Sequence, residues 1–149
     1  MNEILELIEK HRANGLLIDA NLLVLCLIGR LNRRRIANFE RTSSFNADDY
    51  DILELLISKF RRTITTPHIL TEVSNLITKM QRRELLRVRE LLRSWIGTTL
   101  EVYEGSSHVA ADPVFQNFGL TDAAISSLCR RDGFLLITAD VPLCCAKRV

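Results

Sequence analysis

Four carboxylates stand where a chain of alternating strands and helices could gather them. Asp19 lies in Gly15-Leu-Leu-Ile-Asp-Ala-Asn21, directly after an apolar triplet. Glu72 lies in Thr66-Pro-His-Ile-Leu-Thr-Glu72, Asp122 in Gly119-Leu-Thr-Asp122, and Asp140 in Leu136-Ile-Thr-Ala-Asp140. Each follows a strand-like segment or falls in the first or second turn of a helix that could begin near one sheet edge. Carboxylates forced together repel, and their pKa values rise unless a cation neutralises them. A hard ion such as Mg²⁺ or Mn²⁺ prefers oxygen ligands and keeps several waters. It can bind a phosphate and generate hydroxide from bound water; two ions about 3.5–4 Å apart would stabilise both attacking and leaving oxygens. Taken singly, the acids have plainer uses. Asp122 would compensate a helix dipole, Glu72 would be a solvated helix residue, and Asp140 would cap a last helix. Asp19, between an apolar strand and an apolar helix, is the hardest to explain that way.

The elements that must position these acids follow from hydrophobic periodicity and capping signals. A helix is predicted over 2–12, with Gly15 beyond its end. Leu16-Leu17-Ile18 reads as a buried parallel strand, and Leu22 to Leu31 as a buried helix. The basic, polar stretch from Arg30 to Asn46 reads as a loop or a frayed helix end. Asn46 starts a helix to about Phe60, and Thr63 to Thr65 is a second strand. Thr66 caps the next helix, with Pro67 in its first turn. A long Arg-rich helix runs from Gln81 to Ile96, ended by Gly97, and Leu100 to Tyr103 is a third strand. Ser106 to Phe118 is helical but interrupted at Asp112-Pro113, and Thr121 caps a helix to about Arg131. Phe134 to Thr138 is a fourth strand, and Val141 to Lys147 a last short helix. Trp95 and Phe60 read as core. Strands separated by helices predict one α/β domain over 1–149, a three-layer αβα sandwich on a short parallel sheet of about four strands. In such sheets ligands bind beyond the carboxyl ends of the strands, where Asp19 and Asp140 would share an edge.

The ordered set of strand–Asp–x–Asn, Thr-Pro–helix–Glu, Asp at a helix start, and strand–Thr–x–Asp resembles the PIN-domain family of metal-dependent ribonucleases, which includes the toxins of VapBC type. The resemblance runs from about Gly15 to Leu143. It implies that Asp19, Glu72, Asp122 and Asp140 are catalytic acids that bind Mg²⁺ or Mn²⁺. Asn21 and Thr138 match positions that in the family support the metal or orient the phosphate. The implied reaction is hydrolysis of RNA phosphodiester bonds, leaving a 5′-phosphate and a 3′-hydroxyl. It also brings candidate partners: RNA, a second copy of the chain as a homodimer, and, for a toxin, an antitoxin protein. Three features depart from the compact toxin pattern. A helix precedes the first strand, the segment from Arg30 to Phe60 is longer than a minimal version, and little chain follows Asp140 to supply the family's usual fifth strand. The four-stranded sheet would then have an edge needing cover, either capped by a partner chain or, in a trimmed variant, left without that strand.

The chain has 149 residues, 47% hydrophobic and 26% charged, with net charge +2. That excludes a disordered chain, a collagen and a small disulfide scaffold. Of the 20 basic residues 16 are Arg, whose planar fork suits phosphate. Arg33, Arg34 and Arg35 are the expected RNA contacts, because they follow the helix that starts at the acidic edge. The other Arg pairs read as solvated helix faces. His11, His68 and His108 show no ligand spacing; His68 stands one turn before Glu72, where a surface or capping role is expected. Cys26 and Cys129 read as small hydrophobes, and adjacent Cys144 and Cys145 lack the spacing of a zinc site. No signal peptide and no apolar run near the ~20 residues of a membrane span is present, so a reducing cytoplasm is the expected home.

Other chemistries fit less well. A haloacid-dehalogenase-like phosphatase needs a second Asp two residues after the first, where this chain has Asn21. A response-regulator receiver needs an acidic pair after its first strand. Neither gives Glu72 or Asp122 a place. The remaining alternative is a non-catalytic member of the PIN fold that binds RNA or a protein.

Overall fold

The computed structural model describes residues 2–139. Asp140, Cys144, Cys145 and the expected last helix lie outside the described residues. Four short strands, β1 (Leu16–Ile18), β2 (Thr63–Thr65), β3 (Leu100–Glu101) and β4 (Leu135–Ile137), form one sheet in the order β3-β2-β1-β4. All three pairings are parallel. Every residue of β1 is fully buried, as a central parallel strand requires. From β1 to β3 the chain steps one way along the sheet; β4 then returns to the other side of β1. With right-handed crossovers such a reversal sends helices to both faces, an α/β arrangement compatible with a three-layer αβα sandwich.

Among the described residues, seven helices accompany the strands: α1 (Asn2–His11), α2 (Ala20–Leu31), α3 (Ala47–Ser58), α4 (Pro67–Leu76), α5 (Arg82–Thr98), α6 (Ser106–Ala110) and α7 (Val114–Asp132). The apolar α2 is the centre of the core. Nine of its twelve residues are buried, and it packs against α3, α4 and α5. Helix α4 buries Ile69 and Val73 on the stripe that faces the core. By contrast α1 buries no residue, and its Ile4, Leu5 and Leu7 are exposed.

The helix starts follow their capping residues. Asn46 makes a capping box with Asp49 at the head of α3. The Thr66 hydroxyl accepts from the Ile69 N–H at the head of α4, with Pro67 in its first turn. The expected loop from Arg30 to Asn46 contains two 3-10 turns, Arg33–Asn38 and Glu40–Thr42, folded back onto α2. The expected stop at Gly97 does not occur. Gly97 is solvent-exposed with open space around it, so α5 carries it at the modest cost of an exposed helical glycine. β3 ends at Glu101, short of the expected Tyr103. The two expected helices on either side of Gly119 run together as α7, but Gly119 itself (φ 86°, ψ −173°) is not helical. The helix restarts at Leu120, and this break sets where Thr121 and Asp122 lie. Trp95 and Phe60 are core residues, as expected. Among the described residues no helix is long and apolar enough to cross a membrane.

Candidate functional site

Asp19 leaves the carboxyl end of β1 beside β4, where the strand order reverses. That is the switch point at which open α/β sheets bind ligands. Its side chain is buried at 5% exposure and is held from both oxygens. Oδ1 accepts from the Leu22 N–H at 2.9 Å, capping α2. Oδ2 accepts from the Thr138 hydroxyl and, at 3.1 Å, from the Ala139 N–H. The Asp19 N–H in turn donates to the Ile137 carbonyl at 3.2 Å. Asp19 and Thr138, the latter marked in the sequence only as a supporting position, are therefore hydrogen-bonded across β1 and β4. Asn21 is exposed on the first turn of α2.

One strand over, β2 meets β1 in the register Leu16↔Thr63 and Leu17↔Ile64. Continuing that register brings Thr66 level with Asp19, about one strand spacing away, ~4.8 Å. Two helix N-termini, those of α2 and α4, thus open side by side on one sheet edge, and such ends favour anions. Beyond Thr66 a cavity of about 380 Å³ runs along α4. One wall is Pro67 and the stripe His68, Thr71, Glu72 and Asn75. The other is Leu120 and Thr121, just past the Gly119 break. Asp122 follows directly and is half-buried. The structure therefore brings Glu72 to one cavity with the residue preceding Asp122, at the end of the sheet where Asp19 lies.

Several polar groups at this end lack a protein partner. Among the described residues, no hydrogen bond or ion pair engages the Glu72 carboxylate, while the buried Thr65 hydroxyl and His68 Nδ1 have no hydrogen-bond partner. Thr65 and His68 flank the junction of β2 and α4, which the sequence pattern marked only through Glu72. Orphaned buried polar atoms are costly, and two at one junction mark a place built for water or a ligand.

The four sequence-marked acids offer only oxygen donors, which fits a hard divalent cation. Among the described residues no three His, Cys, Asp or Glu side chains are grouped to hold an ion, and Asp140, the fourth acid, lies outside them.

The three arginines are placed differently from the acids. They lie past the carboxyl end of α2, about 18 Å of helix from Asp19 at 1.5 Å per residue. Arg33 pairs with Asp51 at 2.6 Å, and Arg35 with Glu84 at 2.8 Å. Among the described residues the Arg34 guanidinium has no such partner. A cavity of about 460 Å³ lined by Arg30, Leu86 and Arg87 also lies at this far end of α2. Glu104, which the sequence did not mark, is a buried acid. It bonds to Ser127 and Arg131, both at 3.0 Å, which gives it a structural task in tying the segment after β3 to α7.

No family model, curated protein or solved structure matches this chain.

Proposed function

We propose that the protein is a PIN-like, metal-dependent endoribonuclease that hydrolyses RNA phosphodiester bonds. The observation that carries this reading is the buried Asp19 carboxylate at the switch point, tied to Thr138 on the neighbouring strand. Asp19, Glu72, Asp122 and Asp140 would hold Mg²⁺ or Mn²⁺. When bound, that ion supplies charge for the scissile phosphate and lowers the pKa of water. The chain's own residues do the rest. Asp19 and Thr138 fix the end of β4 against β1, the N-termini of α2 and α4 favour the anionic backbone, and Asn21, exposed on the first turn of α2, would orient it. The exposed Ile4, Leu5 and Leu7 of α1 support a protein partner in addition to RNA: a second copy of the chain or, for a toxin, its antitoxin.

The test is cleavage of mixed-sequence single-stranded RNA by the full chain with Mg²⁺ or Mn²⁺, against EDTA and against Asp19→Asn. The expected result is metal-dependent cleavage leaving 5′-phosphate ends, reduced about 100-fold or more by the substitution. Absence of cleavage with either metal contradicts the reading. It would favour a non-catalytic RNA-binding or protein-interaction module on the same fold.

A further inference from the structure

We propose that the cavity between α4 and the restart of α7 holds one unpaired RNA base beside the scissile phosphate, and that His68 and Asn75 read it. This rests on the ribonuclease reading and names its specificity element.

Positions 68, 71, 72 and 75 fall at i, i+3, i+4 and i+7, one stripe of α4. The core side of α4 is apolar, with Ile69 and Val73 buried, whereas on this side His68 and Glu72 are half-buried and Thr71 and Asn75 exposed. Here all four residues are polar, and they line a cavity. Its volume, about 380 Å³, lies in the range of small-ligand clefts, about 300–1,000 Å³.

The chemistry of the lining selects the occupant. Among the described residues no Lys or Arg lines the cavity, and Glu72 does, so a second phosphate would be repelled and a neutral group is favoured. Pro67 and Leu120 offer apolar surface and His68 a flat ring, the surfaces on which unpaired bases stack. The Asn75 amide carries a donor and an acceptor side by side, the pattern of a base edge. Among the described residues that amide makes no hydrogen bond. The Thr71 hydroxyl is already given to the Pro67 carbonyl at 2.8 Å; of the other neutral polar groups lining the cavity, Thr121 offers a single rotating hydroxyl, whereas the His68 ring and the Asn75 amide have the fixed, directional pattern of readers. His68 Nδ1 is buried without a partner. The tautomer that leaves a lone pair there puts the proton on Nε2, making that atom a donor. The cavity begins one residue past Thr66, which stands level with Asp19, so a base held there belongs to a nucleotide at the cleavage position.

Binding is measurable without cleavage. The full chain in EDTA is titrated into fluorescent oligo-A, oligo-C, oligo-G and oligo-U, read by anisotropy, and compared with Asn75→Ala, Asn75→Asp and His68→Ala. The expected wild-type result is a preference for one base. Asn75→Ala should flatten it about tenfold, Asn75→Asp should change which base is preferred, and His68→Ala should weaken all four oligonucleotides. A purely structural role for Asn75 would not reorder the bases. Asn75 is exposed, so its replacement leaves the core intact, and thermal unfolding checks this. Variants that bind all four as the wild type does, or a wild type that binds none, overturn the proposal. If RNA is still cleaved with metal in that case, the ribonuclease reading stands without the base site. Base-dependent binding with no cleavage has the opposite meaning.

Discussion

At the scale of single residues, Asp19 does two jobs that separate experimentally. It caps α2 through Oδ1 and joins β1 to β4 through Oδ2. Asp19→Ala should therefore lower stability by about 1–2 kcal/mol in urea denaturation, the range of a lost N-cap, beyond any effect on cleavage. Cys26 carries a second prediction. Burial, and then its hydrogen bond to Glu54 at 3.0 Å, push the thiol well above its ordinary value of 9.0. The neutral thiol is thus favoured in the fold. Its stabilising contribution is complete below pH 9.0 and lost as pH rises past it. The wild type should lose unfolding free energy above that pH more steeply than Cys26→Ala. Asp19 was legible from sequence because an apolar strand and an apolar helix enclose it. The orphaned Nδ1 of His68 was not, since hydrogen-bond partners depend on how α4 and α7 meet.

At the scale of elements, close packing and backbone breaks set the geometry. A Cβ added at Gly29 would lie 2.2 Å from the Tyr50 ring, so α2 and α3 touch through a glycine. Gly29→Ala should cost about 1–3 kcal/mol, as overpacking does, seen as a lower denaturation midpoint with an unchanged slope. Gly119 is a contrasting case. Its φ of 86° with ψ near 180° is a region essentially confined to glycine, and no atom lies near a built Cβ, so Gly119→Ala should cost backbone strain alone, about 1–3 kcal/mol. It should also disturb oligonucleotide preference by displacing Leu120 and Thr121. Element identity was largely readable because the signals were local: the caps at Asn46 and Thr66, Pro67, and the apolar triplet of β1. Gly97 misled because an exposed glycine is tolerated inside a long helix. The restart after Gly119 was expected as a separate capped helix; the non-helical Gly119 does divide α7 into two helical pieces, but the second begins at Leu120, so Thr121 lies inside it and does not cap it.

At the scale of the whole molecule, near-neutrality conceals a division of charge. Setting aside the four candidate acids leaves 14 acidic residues (18 less 4) against 20 basic ones, a surface more suited to phosphate than +2 implies. Since Arg33 and Arg35 are held by Asp51 and Glu84, Arg34 is the one of the three whose loss should act on RNA alone. Arg34→Ala should weaken all sequences alike and reduce the salt slope of binding by about 1. How far this basic end of α2 lies from Asp19 was not legible, because the sequence shows that Arg33 follows the helix but not that the helix carries it away from the acids. The order of Asp19, Glu72 and Asp122 along alternating strands and helices was legible, but among the described residues no three such side chains are grouped to hold an ion.

The most direct test of the account is a crystal of the full chain soaked in Mn²⁺ and measured for anomalous scattering. The account predicts a peak at the carboxyl end of β1, about 2.0–2.3 Å from carboxylate oxygens that include Asp19 and Asp140, and absent in Asp19→Asn. No peak there, or an ion held elsewhere with the four acids apart, would contradict it.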